Sequence, residues 1–220
     1  QPRGRRTPFT PQMVLSMSIY ADRHPHIRHR MHAVAAMMAY FCALRASEYC
    51  TCADSNHTLK ASAVEFEFSS PNLQSRSLIP SYAVPRVPVQ RLSAVRITVH
   101  TAKNLAPGQG QSVWFTANTV DPSVFPLVEH LFRWASTARL NPSDPFLSYI
   151  DPLSGARIPL RYAAMNAAIK AAAHAAGIDP AGCGTHSLRI ASATNLAAAG
   201  ADATAIMQAG RWRSLPCAVA

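Results

Sequence analysis

Acidic residues are scarce in this chain: 11 Asp and Glu stand against 21 Lys and Arg, a net charge of +10. The shortfall is sharpest at the start. Asp22 is the one acid among residues 1–32, against Arg3, Arg5, Arg6, Arg23, Arg28 and Arg30. A basic excess favours a polyanionic partner through release of counterions from phosphates, with a solubilising face or tail as the other reading of charge alone. The five cysteines are odd in number and irregularly spaced, which argues against a secreted disulfide framework and for a reducing, intracellular setting. No apolar run approaches the length of a membrane-spanning helix. Residues 1–20 hold no apolar stretch followed by a small-residue cleavage site, so no signal peptide is expected. No internal repeat is visible. A chain of 220 residues is long enough to bury a normal core as one large domain.

What is present is a helix-rich pattern with a few short strands. Residues 1–9 are expected to be a basic, disordered lead-in, and residues 10–220 one domain. Thr10-Pro11 sets a helix start, with Thr as N-cap and Pro at the first helical position, and a helix is expected to about Tyr20. A second, from about Ile27 to Leu44, is rich in Met and Ala and should pack in the core and deliver Arg45 at its end. Val64-Glu-Phe-Glu-Phe68 alternates apolar with acidic residues, as a half-buried strand does. Residues 70–91 hold four prolines and are expected to form a long loop or insertion. Further strands are expected at 95–100 and 112–116, joined through a turn at Pro107-Gly-Gln-Gly110. Helices should follow at about 122–138, 159–176, 186–199 and 203–209, with Gly200 and Gly210 at helix ends. The expected fold class is therefore α+β, mainly α, with a small three-stranded antiparallel sheet.

Three stretches carry the chemistry. They are Phe41-Cys-Ala-Leu-Arg45-Ala-Ser-Glu48, Thr185-His-Ser-Leu-Arg189, and Ile206-Met-Gln-Ala-Gly210-Arg-Trp212. A phosphodiester under attack gains negative charge on its non-bridging oxygens, and guanidinium groups stabilise that charge best. Arg45 and Arg189 would form the clamp, and His186 and Lys103 would handle the protons. The indole N–H of Trp212 would donate to a phosphate oxygen. With Thr185 as N-cap, His186 and Arg189 lie three apart on one face of a helix whose N-terminus favours anions. Ala193, Leu196 and Ala197 would form its buried stripe. Taken singly, His-x-x-Arg also fits a capped surface helix, and Leu-Arg-x-Ser-Glu a helix ending in a solvated salt bridge.

In this order, with 23 positions from Arg189 to Trp212, the set resembles the catalytic domain of tyrosine site-specific recombinases, the phage integrase family, over about residues 7–220. The resemblance implies catalytic roles for Arg45, Lys103, His186, Arg189 and Trp212, with Glu48 buttressing the first arginine. Ile190 stands where many members have a second His, and Trp212 replaces a commoner His. It further implies double-stranded DNA as partner, a homotetramer on DNA, and strand cleavage through a 3′-phosphotyrosine with no metal or nucleotide cofactor. It places the protein on DNA, in the nucleus or the cytoplasm according to host. The chain is expected to lack the family's N-terminal DNA-clamping domain and everything from the nucleophilic tyrosine onward, which is expected just after Ala220, and so to bind the scissile phosphate without cleaving by that route. None of Tyr20, Tyr40, Tyr49, Tyr82, Tyr149 and Tyr162 matches the nucleophile position. Arg5, Arg6, Arg28, Arg30 and Arg211 are the expected DNA contacts.

Other readings stay open on the sequence. Residues 186–210 also resemble a helix-turn-helix, which would make the chain a DNA-binding module without catalysis. A type IB topoisomerase core shares the pocket chemistry, and a decayed or domesticated recombinase would bind DNA and cut nothing. The histidines at 24, 26, 29 and 32 suggest zinc, but their spacing and the lack of acidic ligands fit a basic helix start better. Cys50-Thr-Cys52 could bind metal with His57, but lacks a second Cys pair. Cys42 and Cys183 should be small buried residues, and Trp114 and Trp134 core anchors.

Overall fold

In the computed structural model, which describes residues 7, 9–52, 57–69, 77–84, 91–100, 110–117, 126–212 and 214, the chain opens on the expected cap. The Thr10 hydroxyl accepts from the Met13 N–H at 3.3 Å, with Pro11 at the first helical position. The helices and strands in chain order are α1 (Pro11–Arg23), α2 (Ile27–Phe41), α3 (Ala46–Tyr49), β1 (Val64–Phe68), β2 (Ser77–Pro80), β3 (Leu92–Val99), β4 (Gln111–Thr116), α4 (Leu127–Ala138), β5 (Ser148–Ile150), β6 (Arg157–Pro159), α5 (Tyr162–Ala175), α6 (Thr185–Ala198) and α7 (Ala203–Gly210). This is the mainly helical α+β class, with a small antiparallel sheet.

The chain divides into two compact units, one made of residues 1–55 with 160–220 and the other of residues 56–159. In the first, α2 is the central element, packing on α1, α5 and α6, while α7 packs on α6. Its Met and Ala content lets helices approach closely: Met31, Val34, Met37 and Met38 are buried with Met13 and Val14 of α1, Met165 and Ile169 of α5, and Leu188 of α6. The methionines are packing residues, flexible enough to fill irregular gaps. α2 stops at Phe41, short of the expected Leu44, because Ala43 takes the left-handed conformation at φ +47°. α6 begins one residue earlier than expected. Gly184 is its N-cap and Thr185 is already helical and buried. Along its far end Ala193 is buried and Leu196 half-buried, whereas Ala197 is exposed, so the expected stripe is narrower.

The second unit is a sheet of order β2-β1-β3-β4, every pair antiparallel, with α4 against it and a two-stranded β5-β6 ribbon. β2 lies within the segment expected to be a loop. It is a four-residue edge strand pairing Phe66 with Ile79, and proline is tolerated at its end because edges need fewer ladder bonds. The alternation of β1 holds over Val64, Glu65 and Phe66 and breaks at the register shift between Glu67 and Phe68, where Glu67 is buried and Phe68 half-buried; the Phe66 ring meets Phe132 of α4 edge-on at 5.6 Å. Trp134 is the expected core anchor, fully buried, its indole donating to the Phe146 carbonyl at 2.8 Å. Trp114 is not. It sits 48% exposed on β4 beneath the guanidinium of Arg96, because residues one apart in a strand face opposite sides and Val113 and Phe115 take the less exposed one.

Candidate anion-binding site

The site lies wholly within the first unit, where the turn after α2, the first half of α6 and the end of α7 meet. After Phe41 the chain turns through Cys42 and the left-handed Ala43, and Arg45 becomes the N-cap of α3. Glu48, three residues on, folds back: its carboxylate accepts the Arg45 backbone N–H at 2.8 Å and the Arg45 Nη1 at 3.0 Å. α7 ends at Gly210, and Arg211 is the left-handed C-cap, at φ +54°. Its guanidinium reaches the same carboxylate, Nη2 donating to Glu48 Oε2 at 2.7 Å. One buried carboxylate thus holds two arginines.

Arg189 enters from α6. Its two terminal nitrogens donate to the carbonyls of Ala43 and Gly210, and the guanidinium carbon lies 4.3 Å from the centre of the Trp212 ring. Arg45 completes the ring of contacts by donating from Nη2 to the Arg211 carbonyl at 3.2 Å. Carbonyl oxygens therefore take up some guanidinium donors. An Arg fork has five N–H groups, more than these contacts use, and the Arg45 side chain is 22% exposed.

Gly210 is required where it stands. A Cβ there would lie 1.6 Å from Cζ3 of Trp212, so the indole lies directly against bare backbone. Trp212 also joins a small apolar patch with Ala193, Leu196, Ala201 and Ile206, which steadies the ring that faces Arg189.

Charge is the decisive property here. Arg45, Arg189 and Arg211 supply three positive charges against one negative charge from Glu48, an excess of two among these four side chains, of which all but Arg45 are buried. Burial, and then Arg45, lower the Arg189 guanidinium to about 9, with Glu48 opposing and Arg211 adding to the effect. Burial likewise pushes the adjacent Cys42 thiol up to about 12, so it is a neutral, unreactive wall. Uncompensated positive charge among buried donors is what an anion relieves.

The structure therefore brings Arg45, Glu48, Arg189 and Trp212 together, and adds Arg211. It places His186 exposed at the second position of α6, three residues before the buried Arg189. Arg211, expected among the DNA contacts, is instead buried at 6% exposure and ion-paired. The signal in the sequence was its place between Gly210 and Trp212, where a helix end turns inward. Arg28 is exposed and Arg30 half-buried on the first turn of α2. Lys103, Arg5 and Arg6 lie outside the described residues, as do the rest of the lead-in 1–6 and residues 107–109 of the expected turn. Among the described residues no three His, Cys, Asp or Glu side chains form a metal-binding group, and no helix is long and apolar enough to cross a membrane.

No family model and no curated protein matches the chain. Solved structures do. A XerH site-specific recombinase bound to its difH substrate, in a pre-cleavage complex, is 16% identical at a TM-score of 0.60, over 97% of this chain and 49% of that one. A post-cleavage complex of XerH on palindromic difH matches equally, over 48% of its chain. The Tn1549 transposon integrase in complex with transposon right-end DNA is 13% identical at a TM-score of 0.52, over 100% of this chain and 62% of that one. The chain thus spans about half the length of the XerH chains. At such identities the likeness speaks for the fold alone, and this chain shares the fold of the matched parts of these recombinase and integrase structures.

Proposed function

We propose that residues 10–220 belong to the catalytic domain of a site-specific recombinase or integrase, and that the Arg45–Arg189 pocket takes the scissile phosphate of duplex DNA. The observation that carries this reading is the excess of positive charge: two arginines held in fixed orientation by Glu48 and by backbone carbonyls, an arrangement suited to the charge that develops in phosphoryl transfer. The DNA-bound state of the XerH and Tn1549 structures supports it.

In the proposed reaction a tyrosine hydroxyl attacks the phosphorus, the bond to the 5′-oxygen breaks, and a 3′-phosphotyrosyl link and a 5′-hydroxyl result. Arg45 and Arg189 stabilise the charge gathering on the non-bridging oxygens. His186 and Lys103 handle the proton leaving the phenol and the proton reaching the 5′-oxygen. No metal or nucleotide cofactor takes part. We assign the nucleophile to none of the six tyrosines in residues 1–220. Arg5, Arg6, Arg28 and Arg30 are the proposed backbone contacts, and rejoining to a second duplex takes place in a homotetramer.

The test is binding of duplex DNA at rising salt. Log affinity should fall with log salt at roughly 0.9 per neutralised phosphate. On the protein's own site, Arg45→Ala or Arg189→Ala should weaken binding more than Arg28→Ala. Affinity that falls with Arg28→Ala but with neither pocket arginine would overturn the pocket assignment, and affinity that ignores salt would overturn binding through DNA phosphates altogether.

A further inference from the structure

We propose that Arg211 is a positioning residue, which orients both pocket arginines from behind and does not itself touch DNA; the phosphate half of this inference rests on the function proposed above. The two arms of its guanidinium close a bridge between the end of α7 and the turn after α2. Nη2 donates to Glu48 at 2.7 Å and to the Ala43 carbonyl at 3.2 Å, and Nη1 to the carbonyls of Cys42 and Ala209, each at 3.4 Å.

Two of these contacts, to Glu48 and to the Ala43 carbonyl, are shared with another arginine. Arg45 is reached twice, through the shared Glu48 carboxylate and through the Arg211 carbonyl that accepts its Nη2. Arg189 is reached through Ala43, whose carbonyl accepts from both residues, and through Gly210, the neighbour of Arg211, whose carbonyl accepts its other arm. Among the described residues the two terminal nitrogens of Arg211 meet four protein acceptors, against one apiece for those of Arg189. The Arg211 side chain is 2% exposed.

The backbone gives an independent indication. Arg211 adopts φ +54°, a conformation that glycine takes freely and other residues seldom do. A helix end alone would be served better by glycine. An arginine stands there instead, and its partners are the Glu48 carboxylate and the carbonyls named above. A lysine could not replace it, since a single ammonium lacks the planar fork that spans a carboxylate and two carbonyls at once.

The strained backbone also supplies a clean variant. Arg211→Gly removes the guanidinium and relieves the left-handed residue, leaving the 211 carbonyl in place to receive Arg45. The chain of residues 1–220, labelled with ¹⁵N in arginine, would be studied by NMR of the guanidinium N–H groups, whose rotation is hindered only when they are hydrogen-bonded in fixed geometry. In the wild type, Arg45, Arg189 and Arg211 should each give resolved, slowly exchanging signals. In Arg211→Gly those of Arg45 and Arg189 should broaden or vanish while the backbone amide spectrum stays dispersed. Arg211→Lys should restore part of the Arg45 signal and little of Arg189.

In a parallel titration with orthophosphate, Arg211→Gly should bind roughly tenfold to a hundredfold more weakly than wild type, the range for loss of a charged hydrogen-bond network. Unchanged Arg45 and Arg189 signals in a folded Arg211→Gly chain would overturn the positioning role. So would a freely rotating Arg211 guanidinium in the wild type, a measurement that holds even if the variant fails to fold. If the signals respond as expected but wild-type protein ignores orthophosphate, the positioning role stands and the phosphate reading falls.

Discussion

Two sets of arginine, glutamate and tryptophan recur in this chain, and they are not equivalent. In the sheet, Arg96 donates from Nε to Glu65 at 2.7 Å and lies 5.5 Å over the ring of Trp114. Its side chain is 32% exposed and that of Glu65 19%, with Trp114 48% exposed. In the helical unit the same chemistry recurs around Glu48 and Trp212, but split over three arginines and with Glu48 at 1% exposure. Water screens the first set, so its pairs contribute little beyond covering the sheet face. The second set is screened far less, since of its charged groups only Arg45 keeps appreciable exposure, at 22%. Its geometry must be nearly complete for the charges to be tolerated, and completeness is what orients a binding site.

The sharpest test of that contrast is removal of each carboxylate. Glu48→Ala leaves Arg45 and Arg211 facing each other without their shared anion, and should cost about 3–5 kcal/mol in urea unfolding. Glu65→Ala should cost about 1 kcal/mol or less. Equal losses would mean that burial does not separate the two sets.

The next effect should come from the tryptophan platform. Gly210→Ala puts a methyl where the indole lies, and overpacking of this kind typically costs about 1–3 kcal/mol. Near-UV circular dichroism should show the Trp212 contribution collapse, and DNA affinity should fall with it as Arg189 loses its stacked partner. A variant with an unchanged near-UV spectrum would show that the ring can shift at no cost.

Depth should also be visible in pH dependence. His32 on α2 is lowered to about 4, first by burial and then by His29 and Arg28. With its folded value below the unfolded 6.5, the unfolded chain binds the proton more readily. Stability should therefore fall as pH drops from about 6.5 toward 4, and be complete above that window. Urea midpoints measured across this range should lose part of their slope in His32→Gln; an identical slope would remove His32 from the account. The smallest effect should be Trp114→Ala. Its ring is half in water, and its cation–π contact is worth about 0.5–1 kcal/mol at an exposed site, so DNA affinity should be unchanged.

How much of this was legible beforehand differs by element. The start of α1 at Thr10-Pro11 and the strand at 64–68 follow from local chemistry, a capping hydroxyl and an alternation of apolar and acidic residues, and both are where the sequence implies. The strand at 77–80 was hidden because its pairing with β1 comes from the partner's register and not from its own four residues. The order Arg45, Arg189, Trp212 was legible as a set because chemical identity survives in a sequence. Trp114 was misjudged as core because an indole carries no mark of which face of a strand it will occupy.

The sequence by itself determined the helix-rich class, the basic charge balance and the presence of a candidate phosphate-binding set, since each depends on residue type and near-neighbour spacing. Only the tertiary structure decided which arginines are buried. Arg211 and Glu48 are 163 positions apart, and nothing local distinguishes a buried arginine from one that faces a duplex. That distinction arises when the α7 end closes on the turn after α2. There the carbonyls of residues 42, 43 and 210 receive guanidinium N–H groups where the helices that carried them have stopped.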